Sequence, residues 1–289
     1  SLIYRVVRSG EVRVNKGRAH VDTRLQSGDE VRIPPIRYTE KESEHSAPPL
    51  KLSEMPPILF EDQNIMVVDK PAGMASHGGS GISYGLIERM RASRPELPFL
   101  ELVHRLDRGT SGVLVLAKTR KALVRLHEMI REGEMHKTYQ ALVKGDWQND
   151  RQHAKFPLFK YVTPSGERRV RVDPENGLPS HSIFRLKERF GPVSLVEVDL
   201  LTGRTHQIRV HAAELGFPLV GDEKYGDFAF NDEVAHGSLG VPFKRMFLHS
   251  GKICFHHPIT GEELEIEAPL PKDCVELIEV LEQRKAQNK

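Results

Sequence analysis

The sequence predicts an α+β fold. Segments that read as strands outnumber those that read as helices, and the two do not alternate in the regular way a doubly wound parallel sheet requires. No glycine-rich loop follows a strand and opens a helix, so a dinucleotide-binding domain is not expected. The 289 residues suffice for one large domain with a small module beside it.

In chain order, residues 1–37 stand apart. Basic side chains are dense before His20 (Arg5, Arg8, Arg13, Lys16, Arg18). Tyr4 to Arg8 reads as a helix end stopped by Ser9-Gly10. Val12 and Val14 then alternate with Arg13 and Asn15 at the strand period. Gly28-Asp29 makes a turn before Glu30 to Ile33, and Pro34-Pro35 closes the unit. Residues 38–54 are poor in apolar side chains and read as a linker. A second domain is expected over 55–289.

Within it, Ile58 to Phe60 and Ile65 to Val68 read as strands around an Asp62-Gln63-Asn64 turn, and Gly112 to Ala117 as another. Thr119 to Arg131 is an amphipathic helix with Ala122, Leu123, Leu126, Met129 and Ile130 on one face and Gly133 as its stop. Thr138 to Val143 and Val193 to Leu201 are strands, and Arg204 to Leu215 is a helix ended by Gly216. Phe247 to Phe255 and Glu263 to Glu267 are strands, and Asp273 to Arg284 is a closing helix.

Basic residues number 42 and acidic residues 40, for a net charge of +2, so any nucleic-acid signal must come from clustering. Cys254 and Cys274 form no CxxC, which supports neither a disulfide framework nor a cysteine-based zinc site and fits a reducing compartment. No apolar run approaches the roughly 18 residues of a membrane helix, and no signal-peptide pattern opens the chain. His206 and His211 are not at the i, i+4 spacing of a helical zinc pair, so no metal site is expected.

Several clusters could carry chemistry. His104-Arg105-Leu106-Asp107-Arg108-Gly109-Thr110-Ser111-Gly112 places an aspartate between two arginines just before an apolar strand. This suits a rigidly held catalytic carboxylate, or equally a structural turn with a surface ion pair. Gly203 to His211 begins a helix with Arg204, Gln207 and His211 on one side. It suits anion binding or a solvated face. Lys70-Pro71-Ala72-Gly73 with His77 follows a strand and reads alone as a tight turn. Tyr139 sits in a strand, where packing is the ordinary role. Arg168, Arg169 and Arg171 lie on a basic hairpin suited to a phosphate backbone or simply to solvent.

Together these motifs resemble the RluA-type RNA pseudouridine synthases. The run from His104 to Gly112 is similar to their HRLDxxTSG motif, Lys70 to His77 to KPxGxxxH, and Gly203 to His211 to GRTHQIRxH. Lys137-Thr138-Tyr139 matches the position of their active-site tyrosine. Gly221 to Gly226, Phe247 to Ser250 and Ala268 to Pro271 also fit, in the family's order. The resemblance implies a mixed, mostly antiparallel sheet flanked by helices around a central cleft. It implies a cofactor-free isomerisation of uridine in RNA, with Asp107 as nucleophile or base. Arg209, rather than Arg204, would lie against Asp107, while Tyr139 would stack on the uracil and take part in removing the proton from carbon 5, and Ile208 would pack beside the base. His104, Arg105, Arg108, Arg204, Arg168, Arg169 and Arg171 would help bind RNA. The expected partner is large-subunit ribosomal RNA, with transfer RNA as the alternative substrate and a noncatalytic RNA-binding assembly factor as the alternative function. A cytoplasmic monomer without membrane association is expected. Residues 1–37 resemble the second half of an alpha-L RNA-binding module, entered within its second helix.

Overall fold

A computed structural model describes residues 6–34, 47–79 and 84–287. The chain divides into two units, Ser1–Ser46 and Ala47–Lys289. In the first, residues 6–8 are helical, and strands β1 (Arg13–Val14), β2 (Gly17–Arg18) and β3 (Val31–Arg32) pair antiparallel in the order β2-β1-β3. Asn15, at a positive φ of 49°, ties the unit together. Its amide donates to Asp29 Oδ1 at 2.7 Å and its carbonyl oxygen accepts from the Glu30 N–H at 2.9 Å. Of the linker expected over 38–54, residues 38–46 lie outside the described residues. Residues 47–54 pack on the larger unit: Leu50 is buried in its core, and the Leu50 N–H donates to Ser93 Oγ.

The larger unit runs β4 (Ile58–Glu61), β5 (Ile65–Lys70), α1 (Leu86–Ser93), β6 (Glu101–Leu102), β7 (Ser111–Ala117), α2 (Arg120–Glu132) and β8 (His136–Lys144). There follow β9 (Arg151–Ala154), β10 (Leu158–Val162), β11 (Arg168–Val172), β12 (Ser182–Arg189), β13 (Val193–Leu200) and α3 (Gln207–Glu214). It closes with α4 (Phe228–Ala235), β14 (Leu248–His256), β15 (Glu263–Glu267) and α5 (Lys272–Gln287). A ten-stranded sheet has the backbone order β4-β5-β7-β14-β8-β13-β12-β9, with β15 on β14 and β6 on β7. Among the described residues its one parallel pairing is β7 with β14, and the others are antiparallel. The hairpin β10–β11 stands outside this sheet.

The sheet is covered on both faces, which explains why β7 reads Ser-Gly-Val-Leu-Val-Leu-Ala without a solvent-facing residue. Val113 and Val115 pack with Ala122, Leu126 and Met129 of α2, while Leu114 and Leu116 join Leu86, Ile87 and Met90 of α1. A third cluster seats Cys274, Leu277 and Leu281 of α5 against Phe243 and Phe247. Thr119 caps α2 by accepting from the Ala122 N–H, and Gly133 ends it in the left-handed conformation at φ 74°.

The helix expected from Arg204 begins only at Gln207. The Gln207 side-chain oxygen accepts from Thr202 Oγ1 and from the Arg204 N–H, which folds the preceding residues into a loop, and His206 takes a left-handed φ of 53°. Helices α1 and α4 and strands β9 and β12 were not anticipated. Nothing in their short stretches signals the partners that stabilise them.

Candidate active site

Asp107 sits on the turn between β6 and β7, and two neighbouring segments fix it. The turn closes on itself where the Thr110 N–H donates to Asp107 O at 3.0 Å. His104 pins its start, accepting at Nε2 from the Val115 N–H of β7 at 3.1 Å. The segment after β5 then clamps both neighbours of Asp107. Ser76 Oγ donates to Leu106 O at 2.7 Å and accepts from the Leu106 N–H at 3.1 Å. The Gly73 N–H donates to Arg108 O at 2.7 Å, and Arg108 Nε returns a bond to Gly73 O at 2.9 Å. Lys70 is fully buried beneath this junction, its ammonium reaching Pro71 O, Met74 O and Arg108 O. Burial pushes its pKa down to about 7, with the charge of Asp107 acting in the opposite sense.

Arg209 approaches from α3. Its Nη1 donates to Asp107 Oδ2 at 3.0 Å, while Nε and Nη2 hold Asp222 Oδ2 and Oδ1 at 2.8 and 2.7 Å. Burial disfavours the charge on Arg209 and on Asp222, but their mutual hydrogen bonds outweigh it. The guanidinium pKa ends above its ordinary value and that of Asp222 below. Asp222 is itself held by the N–H groups of Lys224 and Tyr225. The Tyr225 ring lies 5.1 Å from the guanidinium carbon, and its hydroxyl accepts from the Val170 N–H. The same hydroxyl lies 2.7 Å from His206 Nδ1, and His206 Nε2 faces Asp107 Oδ1 at 3.8 Å. Burial lowers the pKa of His206, partly countered by Asp107, so the ring is neutral near pH 7.

Two cavities of about 640 and 670 Å³ share Asp107, Arg105, Leu106, His206 and Arg209 in their walls. The Asp107 side chain is 29% exposed, sheltered yet reachable. The first cavity has Tyr139, Ile208 and Leu248 in its wall, apolar side chains of the kind a planar base packs against. Burial raises the pKa of Tyr139, against a hydrogen bond with Ser250, so the phenol keeps its proton. The second cavity is lined by Arg108, Arg168, Lys224, Lys244 and Arg245, with Glu223 as its other acid.

The structure thus brings together Asp107, Arg209, Tyr139, Ile208, His104, Arg105, Arg108 and Arg168. Arg204, the other arginine considered for Asp107, is exposed on the rim of the first cavity, with Nε on Pro179 O. Arg169 and Arg171 reach neither cavity. Arg169 pairs with Glu167 at 2.9 Å, and Arg171 pairs with Asp173 at 3.1 Å while stacking on Phe159 and Tyr161. Sequence reasoning did not assign His206, Asp222, Tyr225 or Lys70 to the site. The stretch from Gly221 to Gly226 was visible as a motif, but nothing in it says that Asp222 faces α3. Among the described residues no group of three or more metal-ligating side chains occurs.

Asp107 thus stands where two cavities meet, one with Tyr139, Ile208 and Leu248 in its wall and the other lined largely by cations. A family model described as RNA pseudouridylate synthase matches residues 64–214, and the chain belongs to this family of isomerases. It is 50% identical over 274 residues to the ribosomal large subunit pseudouridine synthase C of Escherichia coli (strain K12), covering 93% of this chain and 84% of that protein. It is also 50% identical over 285 residues to the protein of that name from Salmonella typhi, covering 97% and 88%. The solved structure of human RNA Pseudouridylate Synthase Domain Containing 1 superposes with a TM-score of 0.62 at 27% identity, covering 81% of this chain and 97% of that one. Among the described residues no helix is long and apolar enough to cross a membrane.

Proposed function

We propose that this enzyme isomerises uridines of large-subunit ribosomal RNA, with Asp107 as the catalytic carboxylate. The observation that carries this is the chain Asp107–Arg209–Asp222. One guanidinium bridges two carboxylates, so the trio carries a net negative charge. Arg209 aims Asp107, while Asp222 shares the cation and fixes the guanidinium in place.

In this reading the target nucleoside is everted, at a cost of a few kcal/mol that contacts with the RNA backbone offset. Its uracil enters the slot of Tyr139, Ile208 and Leu248, and its sugar meets Asp107 at the slot's mouth. Asp107 either attacks the anomeric carbon or removes a proton to open a glycal route. The bond to nitrogen 1 breaks, the base turns in the slot, carbon 5 joins the sugar and then gives up its proton, and nitrogen 1 ends protonated. Tyr139 works as a protonated phenol that packs on the turning base. Arg105, Arg108 and Arg168 face the phosphates. The names of the relatives support large-subunit ribosomal RNA as substrate. The small N-terminal unit is proposed as part of an alpha-L RNA-binding module.

Asp107→Asn keeps the size and removes the charge. Turnover is expected to fall at least about 100-fold, read as tritium release from large-subunit ribosomal RNA labelled at uridine carbon 5. A folded variant with unchanged turnover rejects the proposal. Wild-type release from transfer RNA but not from ribosomal RNA reassigns the substrate.

A further inference from the structure

The wall of the first cavity also includes two residues with side-chain donors that have no partner among the described residues. His104 accepts at Nε2 from Val115, so its proton is on Nδ1. That Nδ1 is buried and has no hydrogen-bond partner, and His104 is one of the residues that line the cavity. Lys137 lines the same cavity and makes no ion pair or hydrogen bond among the described residues. It lies close enough for its charge to depress the basicity of His104, and burial draws its own pKa down to about 8. A half-buried, unpaired ammonium near an orphaned N–H is suited to a ligand that brings negative charge.

We propose that His104 and Lys137 form a phosphate subsite that holds the phosphodiester of a nucleotide adjacent to the everted uridine. The inference rests on the functional reading above and extends it to the flanking backbone. The register supports it. Lys137 and Tyr139 are two apart on β8 and project to the same face, their backbone positions about 7 Å apart, a spacing similar to that of successive nucleotides. Asp107 is the sole carboxylate in this cavity's wall, and Arg131, Lys160 and Arg105 stand exposed around its rim. A strand leaving the slot therefore meets positive charge only. A uracil carbonyl would satisfy the His104 N–H but leave the ammonium uncompensated.

The test uses short single-stranded or hairpin RNAs from large-subunit ribosomal RNA, each with one neutral methylphosphonate linkage near the target uridine. Affinity is measured by fluorescence anisotropy over a range of salt. For the wild-type protein, one linkage flanking the uridine is expected to weaken binding about 10–100-fold when neutralised. Lys137→Met is expected to bind unmodified RNA weaker by a similar factor and to be indifferent to that linkage. Its slope of log affinity against log salt should be shallower by about 0.7. Lys137→Arg should restore both sensitivities. The subsite is overturned if Lys137→Met and the wild type respond equally to every flanking linkage. It is also overturned if Lys137→Met loses affinity with no change in salt slope, which assigns the contact to a base carbonyl. Linkage-dependent binding without formation of pseudouridine would support the subsite and reject the enzymatic reading.

Discussion

Arg209 does two jobs that a lysine cannot combine. Its fork satisfies Asp222 through Nε and Nη2 while Nη1 reaches Asp107. A lysine offers one nitrogen on a flexible stem and cannot span two carboxylates at fixed angles. Arg209→Lys is therefore expected to leave the RNA affinity near its original value while kcat falls about 100-fold, the cost of a misplaced reacting group. Single-turnover tritium release beside a binding titration separates the two. A loss confined to affinity would make Arg209 a substrate contact instead. The pairing of Arg209 with Asp107 was expected from the motifs. That Asp222 completes the pair was not, because 13 positions separate it from Arg209 and no periodicity links them. His206 escaped for a different reason. A histidine with φ of 53° ahead of a helix is a tertiary feature, imposed by Tyr225 and by the Gln207 side chain.

Strand β7 shows how an element delivers a side chain. It is pinned on β5 on one side and on β14 on the other, and its parallel contact with β14 is short: Ser111 opposite His249 and Gly112 opposite Ser250. Gly112 has φ of 112°, and a Cβ there would stand 2.1 Å from Ser250 O. No L side chain fits without parting the strands. Gly112→Ala is expected to destabilise the fold by at least about 3 kcal/mol, measured as a lower urea midpoint, and to displace Asp107 five residues upstream. A variant with wild-type stability would mean that β14 can retreat from β7 at little cost. The strand itself was legible from its unbroken apolar run, as was α2 from its spacing and its Gly133 stop. The union of β7 with β14 was not, since more than a hundred residues and most of the sheet lie between them. Strand order is decided by which faces can be covered together, and only the assembled helices decide it.

The whole molecule stores a pH dependence in its buried imidazoles. His104, His206, His211 and His249 are all pushed by burial below the ordinary histidine range, His211 to about 4. His211 is fully buried and spends its nitrogens on Ser180 and Ser182. In the unfolded chain each imidazole takes a proton near pH 6.5. Between the folded and unfolded values the unfolded chain thus binds more protons, and stability rises with pH. The contribution is complete above about pH 6.5 and is withdrawn as pH falls, down to about pH 4 for His211. The gap from 6.5 to about 4 corresponds to on the order of 3 kcal/mol for that residue. Urea midpoints followed by circular dichroism are expected to drop steadily from pH 6.5 to 4. His211→Gln, which keeps a polar side chain but cannot titrate, should show a shallower slope by about one proton. Asp222 acts in the same direction over a lower window. Its pKa is depressed beneath the ordinary 3.8, so its support is lost only as pH falls through the acid range. A stability flat down to pH 4 that then collapses would therefore assign the acid sensitivity to the Asp222 ion pair and not to the histidines. The two origins are separable because His211 and Asp222 lose their contributions over different pH windows, and His211 is held by Ser180 and Ser182 whereas Asp222 is held by Arg209.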